Sequence, residues 1–402
     1  MRIRGCSLLV ALISAVLGAC RTPPDVVREI EPPAAPGSAE PSVETGADGR
    51  VYLSWIEPVA SGGHALRFAA WEGTRWSGAR TVAHGTDWFV NWADFPSLAV
   101  LEDGTLAAHW LRKTGAGPYA YAVSLSFSRD GGRSWSSPLS PHDASPTEHG
   151  FVSKVPIPGG RIAAVWLDGR ETGAGHEGHS GPMTLRSAIV AASGEIERAD
   201  LIDGRVCDCC QTAAVRAGDG GLVVAYRDRS EGEIRDIAVS RFDGERWSEP
   251  RVVHDDGWKM PGCPVNGPAL AAAGDRVWIA WFTAPGEEPT PRVRVAASRD
   301  GGRTFGPPSD VDAGRPAGRV DLAAFDDGSA LVTWIDDGRG ASEILARRVT
   351  AGGALGPLVR IASTPGSRAA GFPRSAAHGP DVLVAWTEPG DPSRIRTARL
   401  GP

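Results

Sequence analysis

The chain has 402 residues, 42% of them apolar, with 51 Gly and 32 Pro. That is enough apolar material for a large core, and the Gly and Pro content points to many turns and few long helices. A formal net charge of −6 argues against a nucleic-acid binder, which would present a basic face.

Residues 1–20 read as a targeting segment. Arg2 and Arg4 give a positive start, and Leu8 to Val16 is an apolar stretch too short to span a bilayer. Leu17-Gly18-Ala19-Cys20 closes the segment and resembles the bacterial lipobox, whose cysteine becomes the lipidated N-terminus after cleavage. The resemblance implies a domain over 21–402, exported and anchored in the bacterial cell envelope through Cys20. Arg21 after that cysteine favours the outer membrane. No second apolar stretch approaches spanning length, so the lipid anchor is the expected membrane contact.

The mature part repeats one phrase seven times: a Gly turn, a short apolar strand, then an aromatic residue. The copies are Val51 to Trp55, Leu106 to Trp110, Ile162 to Trp166, Leu222 to Tyr226, Val277 to Trp281, Ala330 to Trp334 and Val382 to Trp386. They lie roughly 50–60 residues apart, a period that suits a four-stranded propeller blade. The second unit reads as strands over Pro96 to Leu101, Thr105 to Leu111 and Tyr121 to Arg129, with a short fourth after Trp135. The fourth unit reads the same way over Thr212 to Arg216, Leu222 to Tyr226, Ile234 to Phe242 and Glu249 to His254. The last unit stops after a third strand near Ile395 to Leu400, and Val26 to Ile30 looks like its missing fourth. The expectation is an all-β propeller of seven four-stranded blades closed by an N-terminal strand, with six blades as the alternative.

Two turns carry a family signature. Ser128 to Trp135 and Ser298 to Phe305 match the Asp-box, or BNR repeat, and Ser240 to Trp247 is a degenerate copy. A short Asp side chain can accept hydrogen bonds from the turn amides, and Gly permits the left-handed step. With the repeat, these boxes make the mature chain resemble the sialidase-type BNR propellers.

Propeller topology places the Asp-Gly turns and Asp-boxes on one face and the unusual residues on the other. At first-strand starts stand Trp88, Asn91, Trp92 and Asp94, then His149, then Cys207 to Cys210, then Cys263 and Asn266, then Arg319, Asp321 and Arg374. Just past the second-strand aromatics stand Asp168 with Arg170, and Arg227 with Asp228. Loops on a rigid ring are where a propeller ligand is expected. Trp88 and Trp92 break the repeat and are candidates to stack on a sugar ring. Asn91, His149, Arg170, Asn266 and Asp321 are candidate ligand contacts.

Four cysteines remain once Cys20 is set aside. An oxidising compartment favours disulfides, and the least strained scheme is Cys207–Cys210 with Cys209–Cys263 clamping adjacent blades. The alternative is a soft-metal site of four thiols with Met260 and His254.

The sialidase resemblance implies an arginine triad for a substrate carboxylate, with Arg227, Arg319 and Arg374 as candidates. It also implies a proton-transfer carboxylate among Asp94, Asp168 and Asp228. The early Phe-Arg-Ile-Pro motif of sialidases is absent, and Tyr226 stands where other repeats hold a core Trp. The leading expectation is a propeller that binds, and can cleave, a glycan or small acidic ligand without a cofactor. The alternatives are a docking platform for another envelope protein and metal handling through the cysteines.

Overall fold

The computed structural model describes residues 26–172, 181–338 and 341–401. Residues 1–20, Cys20 among them, lie outside these. Among the described residues the strands form seven antiparallel sheets, six of them ordered along the chain from the channel outward. The innermost strands are Ala39–Thr45, Ser97–Val100, His149–Ile157, Ala213–Arg216, Ala269–Ala273, Pro316–Ala324 and Arg374–His378. Each packs against the innermost strand of the next blade, and the seventh packs against the first. The ring is closed.

Closure uses the strand expected from sequence. Val27–Ile30 pairs antiparallel with Arg394–Leu400, Val27 opposite Leu400 and Ile30 opposite Thr397. The seventh sheet therefore holds both ends of the described chain. Blade 2 differs from expectation. Its sheet has three strands, and the segment after Trp135 makes only an isolated bridge between Leu139 and Leu125. Pro138 and Pro141 flank that segment and withhold two N–H donors from a ladder.

The core lies between blades and is built by the repeated aromatic. Trp55, Trp166, Trp281 and Trp334 are fully buried, as is Tyr226, and Trp110 and Trp386 nearly so. Each sits on the second strand and packs with β-branched and alanine side chains of a neighbouring sheet. Truncating one such Trp to Ala is worth about 3–5 kcal/mol.

Both complete Asp-boxes have the hydrogen bonding their residues suggest. Asp130 Oδ1 accepts from the N–H groups of Arg133 and Ser134, each at 2.9 Å, and its Oδ2 from Ser134 Oγ at 2.7 Å. Asp300 repeats this with Thr304 N at 2.9 Å and Thr304 Oγ1 at 2.6 Å. The box glycines are required: Gly132 has φ +83, and a Cβ there would meet Phe68 at 2.4 Å. These hairpins lock one face of the ring.

A chain truncated through Ile30 exposes the edge of Arg394–Leu400. Its thermal midpoint is expected to fall and its light scattering to rise, and an unchanged midpoint would show that the closing strand contributes nothing.

Candidate functional site

The innermost strands enclose a channel cavity of about 590 Å³. Three of the sequence-derived candidates, Asp94, Asp321 and Arg374, line it, together with Glu44, Ser97 and Lys154. Asp321 pairs with Arg374 at 3.3 Å and accepts from Ser375 N at 2.6 Å. Lys154 donates to Ser97 Oγ and points at His109 Nδ1, 2.7 Å away. Burial brings the Lys154 ammonium down to about 8, against the opposing pull of Glu44.

The channel end on the cysteine-bearing face is roofed. Trp92 stacks on Phe372 with ring centroids 6.0 Å apart, and Phe95 tilts against Phe372 at 5.8 Å. Arg319 lies over the Trp92 ring at 4.8 Å and Arg374 over Phe95 at 5.2 Å. Trp92 is therefore held by protein groups and belongs to the roof. Trp88 is buried and stacked on Trp110 at 5.7 Å, as part of the core between blades 1 and 2. Neither offers the free ring face that sugar stacking needs.

The arginines are committed elsewhere. Arg227 is fully buried, donates to the carbonyls of Asn266 at 2.7 Å, Phe282 at 2.6 Å and Arg235, and lies over Trp258. Arg319 donates to the carbonyls of Ser367 at 3.1 Å and Gly371 at 3.0 Å. With Arg374 on Asp321, no triad of free guanidinia converges. Carbonyl-bonded arginines brace loops; they do not grip a substrate carboxylate.

Asp168 is likewise structural. It accepts from Trp166 Nε1 at 2.8 Å and from Arg170 Nε and Nη2, each at 2.7 Å. Burial raises its pKa, but Arg170, His149 and the indole outweigh that and hold it at about 2. Glu57 accepts from Trp55 Nε1 at 2.8 Å in the same way. An acid two residues past the core Trp is thus an indole cap. His149 is fully buried and stacks on His142 with centroids 3.8 Å apart. Asn91 Oδ1 accepts from Ala93 N at 2.9 Å, and Asn266 Oδ1 from Arg319 N at 2.7 Å, so both side chains shape loops. Asp228 Oδ1 accepts from Arg229 N at 2.7 Å, and burial raises its carboxyl.

The group that stands apart is built around Asp94. Its Oδ1 accepts from Phe151 N at 2.7 Å, and its Oδ2 accepts from Tyr121 Oη at 3.0 Å. Tyr121 Oη also lies 2.7 Å from Glu148 Oε1. Burial pushes Asp94 up to about 7 and Glu148 up to about 8. Gly150 makes this approach possible, because a Cβ there would stand 1.9 Å from Asp94 Oδ2. The sequence singles out Asp94 but neither Glu148 nor Tyr121. The available signal was Gly150 inside a strand, which marks a close approach.

Glu148 opens onto a second cavity of about 480 Å³, separate from the channel residues and lined also by Asp208, Arg229, Glu233, Arg235, Cys209 and Cys263. Arg229 bridges Asp208 at 2.9 Å and Glu233 at 2.9 Å, and Arg235 pairs with Glu233 at 2.8 Å. Hydrogen bonds from Arg229, then from Arg235, hold Glu233 below its usual range against its slight burial. One cavity thus holds a carboxyl that keeps its proton near neutrality and one that stays ionised.

The cysteines gather beside this cavity. Cys209 and Cys263 are joined in a disulfide with Cα atoms 6.0 Å apart, as expected. The expected Cys207–Cys210 bond is not formed: both are buried free thiols. Burial raises Cys207, but a bond from Cys210, the Cys209 N–H and the charges of Arg235 and Arg227 bring it down to about 7. His254 and Met260 are not part of the cluster. His254 faces Asp256 at 2.7 Å, and Met260 packs against the Trp258 group.

No protein-family model and no curated protein matches this sequence. Solved structures do. A protein of unknown function from Dyadobacter fermentans is 17% identical over 93% of this chain and 99% of its own, with a TM-score of 0.54. The polysaccharide lyase Uly1 is 10% identical over 90% of this chain and 89% of its own, with a TM-score of 0.54. An α-L-arabinanase from Penicillium chrysogenum, solved with arabinobiose, is 14% identical over 94% and 97%, with a TM-score of 0.50. The described residues form a β-propeller of seven blades.

The protons on Asp94 and Glu148 link stability to pH. In the unfolded chain both ionise at about 4, so the folded state holds protons there that the unfolded chain has released. This contribution is complete below about pH 4 and is lost as pH rises through about 7 for Asp94 and about 8 for Glu148. Tyr121, Asp94, Asp208 and Cys207 are the polar groups acting on Glu148. Urea midpoints of the wild type are expected to fall between pH 5 and 8.5 and those of Glu148→Gln to fall less; equal slopes would refute the assignment.

Proposed function

We propose that this protein is a saccharide-binding propeller that cleaves a glycosidic bond in the 480 Å³ cavity of its cysteine-bearing face. The observation that carries this reading is the opposed state of two carboxyls in that one cavity. Glu148 keeps its proton to about pH 8, while Glu233 is held ionised by Arg229 and Arg235. Paired carboxyls driven apart in this way are the usual means of supplying an acid and a base together.

Glu148 serves as the acid that protonates the departing oxygen. Tyr121 holds it in place and ties it to Asp94, so the carboxyl cannot turn away when the site fills. Glu233 faces the developing positive charge or activates water. The Asp208–Arg229–Glu233–Arg235 ladder supplies hydrogen-bonding groups for sugar hydroxyls. Tyr121 is 1% exposed and its phenol is shared between two carboxyls, so it is a brace here and not a nucleophile. Support for a glycan ligand also comes from the fold: two of the similar structures are named for a polysaccharide lyase and an arabinanase. Export and anchoring through Cys20, with the outer membrane favoured, complete the proposal.

A panel of neutral and acidic oligosaccharides, screened for binding by calorimetry and for cleavage by chromatography, tests it. Glu148→Gln is expected to lower turnover about 10²–10⁴-fold with binding retained. A panel with no binding at all, or a variant with full turnover, would overturn the reading.

A further inference from the structure

The cysteine cluster is not used by the reaction proposed above, and its surroundings are unusual for a structural disulfide. The Sγ atoms of Cys207, Cys209 and Cys210 all lie within 4.8 Å of one another, and Cys263 Sγ is bonded to one of them. Four sulfurs thus share one small volume where two blades meet. A tetrahedral zinc site with Zn–S bonds of about 2.3 Å needs sulfurs about 3.8 Å apart. Cys207, Cys209 and Cys210 already lie within that range of one another, and Cys209 and Cys263 reach it once their bond opens. Cys207 and Cys210 are buried, Cys209 partly so, and Cys263 is exposed on the 480 Å³ cavity. The cluster is dry on one side and has an entry path on the other.

The charges around it point to a second observation. Arg227 and Arg235 are both buried beside these sulfurs. Arg227 gives its hydrogen bonds to three carbonyl oxygens, and the charges that act on it are those of Cys210 and Cys207, then of Asp236 and Asp256. Arg235 reaches Glu233 with Nη2, but its Nε and Nη1 are buried and bond nothing. Buried guanidinia need nearby negative charge; Glu233 supplies it to one nitrogen of Arg235 at 2.8 Å, and the two unpartnered nitrogens of Arg235 leave room for anionic sulfur to supply more. Four thiolates around a divalent cation, or three around a monovalent one, carry a net charge of −2, a sign that the two neighbouring guanidinia favour. Backbone N–H groups are also in place to support anionic sulfur, from Cys209 to Cys207 and from Asn266 to Cys210.

We propose that Cys207, Cys209, Cys210 and Cys263 form a four-sulfur site for a thiophilic d¹⁰ cation, Zn²⁺ or Cu⁺, gated by the Cys209–Cys263 bond. With that bond closed, two of the four donors are tied to each other and the site is shut. Opening it requires two equivalents of an external thiol. The first attacks the exposed Cys263 Sγ, and Cys209 leaves as a thiolate. The second attacks the mixed disulfide so formed, releasing Cys263 and the oxidised external pair. Two electrons pass to the protein sulfurs, and the cation then displaces the remaining thiol protons to water. Neither His254 nor Met260 is needed.

The test uses the intact chain in two forms, one reduced anaerobically and one with the disulfide confirmed by thiol titration. Each is incubated with Zn²⁺ alone or with Cu⁺ alone, dialysed, and assayed for metal, with circular dichroism recorded on every sample. The expected result is about one equivalent retained by the reduced form in at least one arm, and little by the oxidised form. Cys207→Ser and Cys263→Ser are expected to lose retention, and Arg235→Gln to weaken it about 10–100-fold against a chelator. Folded, reduced protein that retains neither metal would overturn the proposal. So would equal retention by the oxidised form or by a folded Cys207→Ser variant. If the serine variants fail to fold, the comparison of the two wild-type forms decides alone.

Discussion

The pairing of Val27–Ile30 with Arg394–Leu400 is the constraint on which the rest depends. The polar groups around the 480 Å³ cavity sit at strand ends or in loops, and those ends meet only because the blades return to their start. Several bonds over the channel mouth run between distant units. Gln211 Nε2 donates to Ala93 O at 2.6 Å across 118 residues, and Glu40 N donates to Thr387 Oγ1 at 3.2 Å across 347. None of these can form in an open stack. The two-point attachment also explains why so short a strand suffices: Gly37 N and Ser38 Oγ bond the chain around Ser393 and Ile395, so the strand is held at its far end as well.

The ring was legible because each blade must solve the same packing problem. A buried aromatic on the second strand and a Gly turn before it recur at a fixed period, and nothing in a tight interblade core allows that phrase to drift. The fourth strand of blade 2 was not legible, because prolines around Leu139 leave a segment that reads as extended but cannot build a ladder. Cys209–Cys263 was legible for a topological reason, since both lie at corresponding places in successive units. Cys207–Cys210 was not: spacing permits that bond, but the environment keeps both thiols free.

Several of the candidate residues read from sequence turn out to be tied to protein partners. An acid just past a core Trp looks the same in sequence whether it caps an indole, as Asp168 and Glu57 do, or carries out chemistry. An arginine bonded to three carbonyls, such as Arg227, looks the same as one free to grip a ligand. Trp88 and Trp92 break the repeat because each fills an inter-loop space of its own, and irregular packing is as good a reason for an aromatic as ligand stacking. Glu148 carried no mark at all, because what distinguishes it is the company of Tyr121 and Asp94, 27 residues and 54 residues away in the chain.

Charge burial separates the candidate acid–base groups from the bracing ones. A buried carboxylate can be stabilised by a guanidinium or an indole, or it can keep its proton; the surroundings decide which. Asp168 takes the first course and loses the ability to exchange a proton near neutrality, which suits a brace. Asp94 and Glu148 take the second, because the partner between them is a phenol, which shares hydrogen bonds without supplying positive charge. Gly150 is the permissive element, since any side chain there would push Asp94 away and break the sharing. The same reasoning run in the opposite sense applies to Arg227 and Arg235. Buried guanidinia beside sulfur are the mirror image of buried acids beside a phenol, and in both places the neighbouring groups set the local charge.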